Sequence, residues 1–220
     1  MVLILARRIR ERAKVLEEDD MDRFYKFICM GKSLIEYAAQ GDIGNFARLV
    51  DESEERDLMF WHVTKALKAA VKNKHADVTR YIVDEPLFVS LNHEAFQKML
   101  HLFLFCCQEA DMHPTEKERT KAHSQNRELL SILAKGKGRD GIDELDNVSS
   151  ATPLMVACEM LNDIEIVKIL CEAGADINSV NNDNKMPLSL VKERIDKKLQ
   201  QGETSSEELS KLKLIYDYLE

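Results

Sequence analysis

Proline is scarce in this chain, with four residues in 220, and glycine numbers only eight. That excludes a low-complexity or collagen-like polymer. Long apolar runs are also missing. The longest, residues 99–107, is interrupted by His101 and falls short of the roughly 18 residues of a membrane helix. Residues 2–6 are apolar but too few for the core of a secretory signal, and Arg7-Arg8 follows at once. Cysteine is sparse and odd in count: Cys29, Cys106, Cys107, Cys158 and Cys171. An odd count without a secretory signal favours a reducing compartment, with most thiols on apolar helical faces acting as small hydrophobes. The expected location is the cytoplasm, with the nucleus as the alternative. Positive charge is short as well. Lys and Arg total 31 against 39 Asp and Glu, a net charge of −8. This argues against nucleic acid as the main partner. Lys135, Lys137 and Arg139 form a small basic cluster, but acidic residues flank it and it reads as a solvated turn. No membrane partner is expected.

What is present is apolar and charged in helical proportion, 45% hydrophobic and 32% charged. That is ample for one core or for a stack of small units. The organising stretch is residues 151–178, ATPLMVACEMLNDIEIVKILCEAGADIN. Pro153 suits a first helical turn, where its missing N–H costs nothing. Thr152 just before it is a cap. Leu154, Ala157 and Leu161 recur on one face. Asn162 and Asp163 interrupt the pattern, and Asp163 can cap the next helix, whose stripe is Ile166, Val167, Ile169 and Leu170. Gly174 suits the left-handed residue that ends a helix. Two short antiparallel helices cannot bury their apolar faces alone, so neighbours must stack.

This stretch resembles the ankyrin repeat. Thr152-Pro153-Leu154 and Ala157 match the signature T-P-L-H-x-A, with Met155 in place of its histidine, and residues 174–178 resemble its exit turn and hairpin. Other segments echo it more weakly. Residues 34–50 look like a divergent first repeat. Residues 61–83 look like a second, in which Lys74 follows Gly41 by 33 residues, the family period. Leu100 lies 33 residues after Leu67, which sets His101 on the signature histidine of a third. The run around it, MLHLFLFCC, is apolar on nearly all sides, which marks a buried helix. Residues 108–123 then interrupt the pattern. Pro114 ends one helix and Thr115-x-x-Glu118 is a capping box for the next, so two lengthened helices are expected here. Residues 136–148 read as a hairpin-like connection. Met186-Pro187-Leu188 opens the last repeat, and Ser205-x-x-Glu208 is a capping box for its final helix.

The expected fold is therefore an all-α, ankyrin-like solenoid of about five repeats with helical caps. Its expected units are an N-terminal cap at 1–31, repeats at about 32–55, 58–90, 91–146 and 147–180, and a C-terminal cap at 181–220. The other reading of residues 1–31 is a helix that docks on a partner.

Chemistry is weakly signalled. Cys106, Cys107, His113 and His123 are metal-ligand types but fit no compact zinc spacing. His101 on an apolar helix is expected to be a hydrogen-bonded structural histidine. Glu109, Asp111 and His113 can be read as a catalytic dyad or as a charged helix end. No phosphate loop, nucleophile elbow, H-E-x-x-H or calcium-loop spacing occurs. No metal, cofactor or catalytic residue is expected. The family resemblance implies a protein-binding module, an adaptor, scaffold or inhibitor that is not an enzyme. The alternative is an enzyme or enzyme-regulatory subunit with a site at residues 108–126. The resemblance also implies a concave face of hairpin tips and first helices, which puts Val148, Ser149, Ala151, Glu159, Met160, Val180, Asn182, Asp183 and Lys185 at a partner. Leu170, Asp176, Ile177 and Asn178 resemble the context in which ankyrin asparagines are hydroxylated. The other reading of Asn178 is a hydrogen bond within the hairpin.

Overall fold

A computed structural model of the chain describes residues 18–53, 60–85, 114–137, 142–146 and 150–220, together with Leu100, His101, Phe103, Leu104, Cys107 and Met112. The part of the expected N-terminal cap before residue 18 lies outside the described residues, as do Val148, Ser149, Cys106, Glu109, Asp111 and His113. The helices are α1 (Glu18–Gln40), α2 (Ile43–Asp51), α3 (Phe60–Lys72), α4 (Ala76–Asp84), α5 (Glu116–Lys137), α6 (Pro153–Met160), α7 (Ile164–Glu172), α8 (Pro187–Gln200) and α9 (Glu207–Leu219). No strand occurs among the described residues.

Packing arranges them in two layers. Consecutive helices pair as α1 with α2, α3 with α4, α6 with α7 and α8 with α9. First helices stack on first helices, α1 on α3 and α6 on α8. Second helices do the same in an unbroken series, α2, α4, α5, α7, α9. The helical residues Leu100, His101, Phe103, Leu104 and Cys107 are all buried, and the apolar ones among them belong to the common core. One continuous apolar seam runs from Leu34 to Leu219 through Ala66, Leu104, Leu133, Leu154 and Leu170. Each fully buried Leu in it contributes about 1.5–3 kcal/mol of transfer free energy. The fold is an all-α repeat solenoid.

Local chemistry sets the turns. Gly41 (φ 74°) and Lys74 (φ 62°), one period apart, are both left-handed. The next backbone N–H in each case reaches back into the helix, Asp42 to the Tyr37 carbonyl and His75 to that of Ala70, both at 2.9 Å. This is the bonding that closes a helix end. Lysine bears the positive φ at 74 because its chain is used. Its Nζ donates to Asn126 Oδ1 of α5 and lies 5.3 Å over the Phe103 ring, tying the second pair to the third. His75 ties the second pair to the first through its ring, Nε2 to the Ala39 carbonyl at 2.9 Å.

The N-termini follow the sequence closely. Thr152 Oγ1 accepts from the Met155 N–H with Pro153 at the first turn, and Asp163 Oδ1 accepts from the Glu165 N–H at 3.0 Å. Thr115 and Glu118 form the reciprocal capping box at the head of α5.

Helix α1 runs straight through Gly31, which stays glycine because a Cβ there would stand 2.2 Å from His62 Nδ1 of α3. Two local expectations are corrected, at Gly136 and at Ser205. Gly136 is helical, not part of a connection, and for the same reason, since its Cβ would meet Val83 Cγ1 at 2.0 Å. The cap of α9 is Ser206, whose hydroxyl accepts from the Leu209 N–H at 3.2 Å, not Ser205. Glu208 is drawn away from a capping role by Lys198 of α8 and by the Asn162 amide.

Candidate functional site: the hairpin face

Residues 143–146 and 150–152, before α6, and residues 173–186, between α7 and α8, lie outside the helices. Both excursions are held by their own hydrogen bonds. In the first, Asp146 N–H donates to the Ala151 carbonyl at 2.9 Å and Ala151 N–H to Asp146 Oδ1. In the second, Asp176 organises the start, accepting from Asn178 N–H at 2.9 Å and from Ser179 Oγ. Asn181 organises the tip. Its N–H donates to the Lys185 carbonyl, and its Oδ1 accepts from the N–H groups of Asp183 and Lys185. Asn184 takes the left-handed conformation that the tight turn needs. The excursions are also joined, because Asp176 N–H donates to Asp143 Oδ1 at 2.9 Å, across a spacing of 33 residues. Burial, with the nearby Asp176 charge, holds the Asp143 carboxyl above the usual carboxylate range.

The expected contact residues divide. Glu159, Asn182 and Asp183 are exposed, and Val180 is 52% exposed. Lys185 is half-buried and engaged by Glu193 of α8 at 2.8 Å. The hydrogen bond to Glu193 raises the lysine pKa, and the charges of Glu193, Asp183 and Glu159 add to it. Met160 is half-buried and packs against the core, so it offers only part of its side chain. Ala151 is a correction. It is 3% exposed, at the inner end of the hairpin where the chain enters α6. Its carbonyl also takes His101 Nε2 at 3.0 Å, which makes His101 the structural histidine the sequence implies. Asn178 is exposed, and its hairpin bond comes from its backbone, not its amide side chain.

Residues 151–178, which hold the sequence signature, form α6 and α7 of the stack. The comparison with protein families matches residues 89–181 to the family model for ankyrin repeats (3 copies). Over that segment the chain is similar to ankyrin repeats. A search of the curated proteins finds no match. Ankyrin repeats generally serve protein–protein interaction and are typically non-enzymatic. Among the described elements the matched segment includes α5, α6 and α7. The exposed row on these turns includes apolar residues beyond the expected partner contacts. Leu145 is 50% exposed, Ile177 41% and Met186 40%. In a sequence, solvent-facing leucine and isoleucine in a turn look like core residues. The period of 33 between Asp143 and Asp176 was a usable signal for the joined hairpins.

The polar clusters elsewhere in the stack are structural. Arg127 of α5 grips Asp163 through two bonds, Nε to Oδ2 at 3.0 Å and Nη2 to Oδ1 at 2.9 Å, and His123 Nδ1 lies 3.4 Å from Oδ2. Asp163 is also the cap of α7, so one buried carboxylate joins two repeats. Arg194 of α8 does the same across the next junction, reaching the carbonyls of Cys158 and Leu161 and the Asn162 side chain. Among the described residues no group of His, Cys, Asp or Glu could hold a metal ion. No described helix is long and apolar enough to cross a membrane.

Proposed function

We propose that this chain is a non-enzymatic binding module, an adaptor, scaffold or inhibitor, that seats a protein partner on its hairpin face. The observation that carries the reading is the union of fixed backbone and exposed apolar side chains. Asp176 and Asn181 lock the turns, while Leu145, Ile177, Val180 and Met186 stand in solvent. Exposed apolar side chains on an ordered frame lose little freedom when a partner covers them, so more of the contact energy is realised as affinity. Glu159, Asn182 and Asp183 supply the polar surround. The net charge of −8 disfavours nucleic acid on this surface.

The test uses Val180→Glu with Asn182→Arg, both exposed. Lys185 is left intact, because its pairing with Glu193 makes it part of the frame. Proteins captured from the native cell by wild type are compared with those captured by this double variant and by Lys213→Glu on the exposed surface of α9. Selective loss in the double variant, at an unchanged melting temperature, is expected. Equal capture by all three would sink the assignment of the hairpin face.

A further inference from the structure

We infer that the segment seated on this face is cationic, a peptide stretch of a protein partner that carries lysine or arginine beside apolar side chains. The inference rests on the reading that the hairpins bind protein, and it names the class of partner.

Charge and shape at one spot support it. Lys185 has three carboxylates around it, Glu193, Asp183 and Glu159, all near enough to stabilise its ammonium. Only Glu193 pairs with it. Glu159 and Asp183 are exposed, and among the described residues neither is ion-paired. Arg194 also lies near Glu159, so three carboxylates face two cations and one net negative charge remains beside the hairpin. Asp143 and Asp176 extend the same sign along the joined excursions. The apolar part is next to them. Asn181 and Lys185 form the backbone pair that closes the tip, so Val180 and Met186 are the residues flanking it, 52% and 40% exposed. A cation on a long aliphatic stem suits such a surface. Its methylenes lie against Val180 and Met186 while its charge reaches Asp183 or Glu159. An acidic peptide or a nucleic acid meets repulsion at the same place. The charge of the whole chain, −8, attracts a basic partner from a distance and speeds encounter.

The experiment selects a displayed library of random peptides against the full chain and maps each winner by amide shifts in isotope-labelled protein. Expected winners are basic with apolar residues, and shift the amides of Glu159 and of residues 180–186. They lose about tenfold or more in affinity against Glu159→Lys with Asp183→Lys, and bind more slowly as salt rises. Glu159→Gln with Asp183→Asn, which removes the charges without reversing them, repeats the comparison if the reversed variant misfolds. Winners that map to these residues but are neutral or acidic overturn the cationic class and leave the face intact. So do basic winners that bind both variants as well as wild type. Winners that map only elsewhere, or a library with no winner, overturn the inference together with the reading beneath it.

Discussion

Arg194 offers the sharpest test of how the last two repeats hold together. Helix α6 ends at Met160, and its last carbonyls have no helical donor. Arg194 Nη1 donates to the Cys158 and Leu161 carbonyls, each at 2.8 Å, and Nη2 to Asn162 Oδ1 at 2.6 Å. Cys158 is fully buried, so water has poor access to that carbonyl. Arg194→Ala strands both carbonyls. An orphaned buried acceptor costs about 1–3 kcal/mol, and loss of a cation at a helix C-terminus adds about 0.3–1 kcal/mol. Some of this returns as water enters the space vacated, and a net loss of about 3 kcal/mol is expected. Arg194→Lys keeps the charge but lacks the fork, so it should recover about half of that. Arg48→Ala is the control. Its exposed pair with Glu52 spans 4.0 Å, and a change under about 0.5 kcal/mol is expected. Urea melts followed by circular dichroism give the free energies. Hydrogen exchange gives the location, because each repeat touches only its neighbours and amides of α8 and α9 should open first, with α1 to α3 unchanged. A loss below about 1 kcal/mol for Arg194→Ala, or full rescue by lysine, would refute the reasoning.

Gly31→Ala and Gly44→Ala should move stability in opposite directions in urea melts. The first puts a Cβ 2.2 Å from His62 Nδ1 and should cost about 1–3 kcal/mol despite the better helix propensity, whereas the second has nothing nearer than 3.7 Å and should gain up to about 1 kcal/mol. Leu170→Ala, at a fully buried site in the seam, should cost about 2–5 kcal/mol in the same melts. Iodoacetamide at mildly alkaline pH should label exposed Cys29 at least about 100-fold faster than Cys158, whose thiol burial pushes up to about 12, as read by peptide mass spectrometry. The same shift has a stability consequence. The folded state keeps the Cys158 proton where the unfolded chain releases it near its ordinary value of 9.0, so stability holds below that pH and falls as pH climbs toward about 12.

What the sequence determined by itself was local or periodic. Thr152-Pro153, Asp163, Gly174 and the Thr115 box act on neighbours within four residues, so their spacing carries their geometry. The apolar period marks which faces stack, and the left-handed pair Gly41 and Lys74 was visible as one repeat length. Periodicity does not report how far a helix continues past its last apolar position. Gly136 resembles a break until the neighbouring helix is seen to need the room. Nor can it tell a cap from a rival. Ser205 and Ser206 are equivalent candidates in the sequence, and Lys198, from another helix, decides between them by claiming Glu208. The candidate site shows the same division. Glu159, Val180, Asn182 and Asp183 follow from repeat position alone. Ala151 does not, because it is buried where His101, 50 residues earlier, reaches its carbonyl. The charge of the hairpin face is likewise tertiary. Which of its carboxylates stay unpaired depends on where Lys185 points, and that is settled by Glu193 on the following helix.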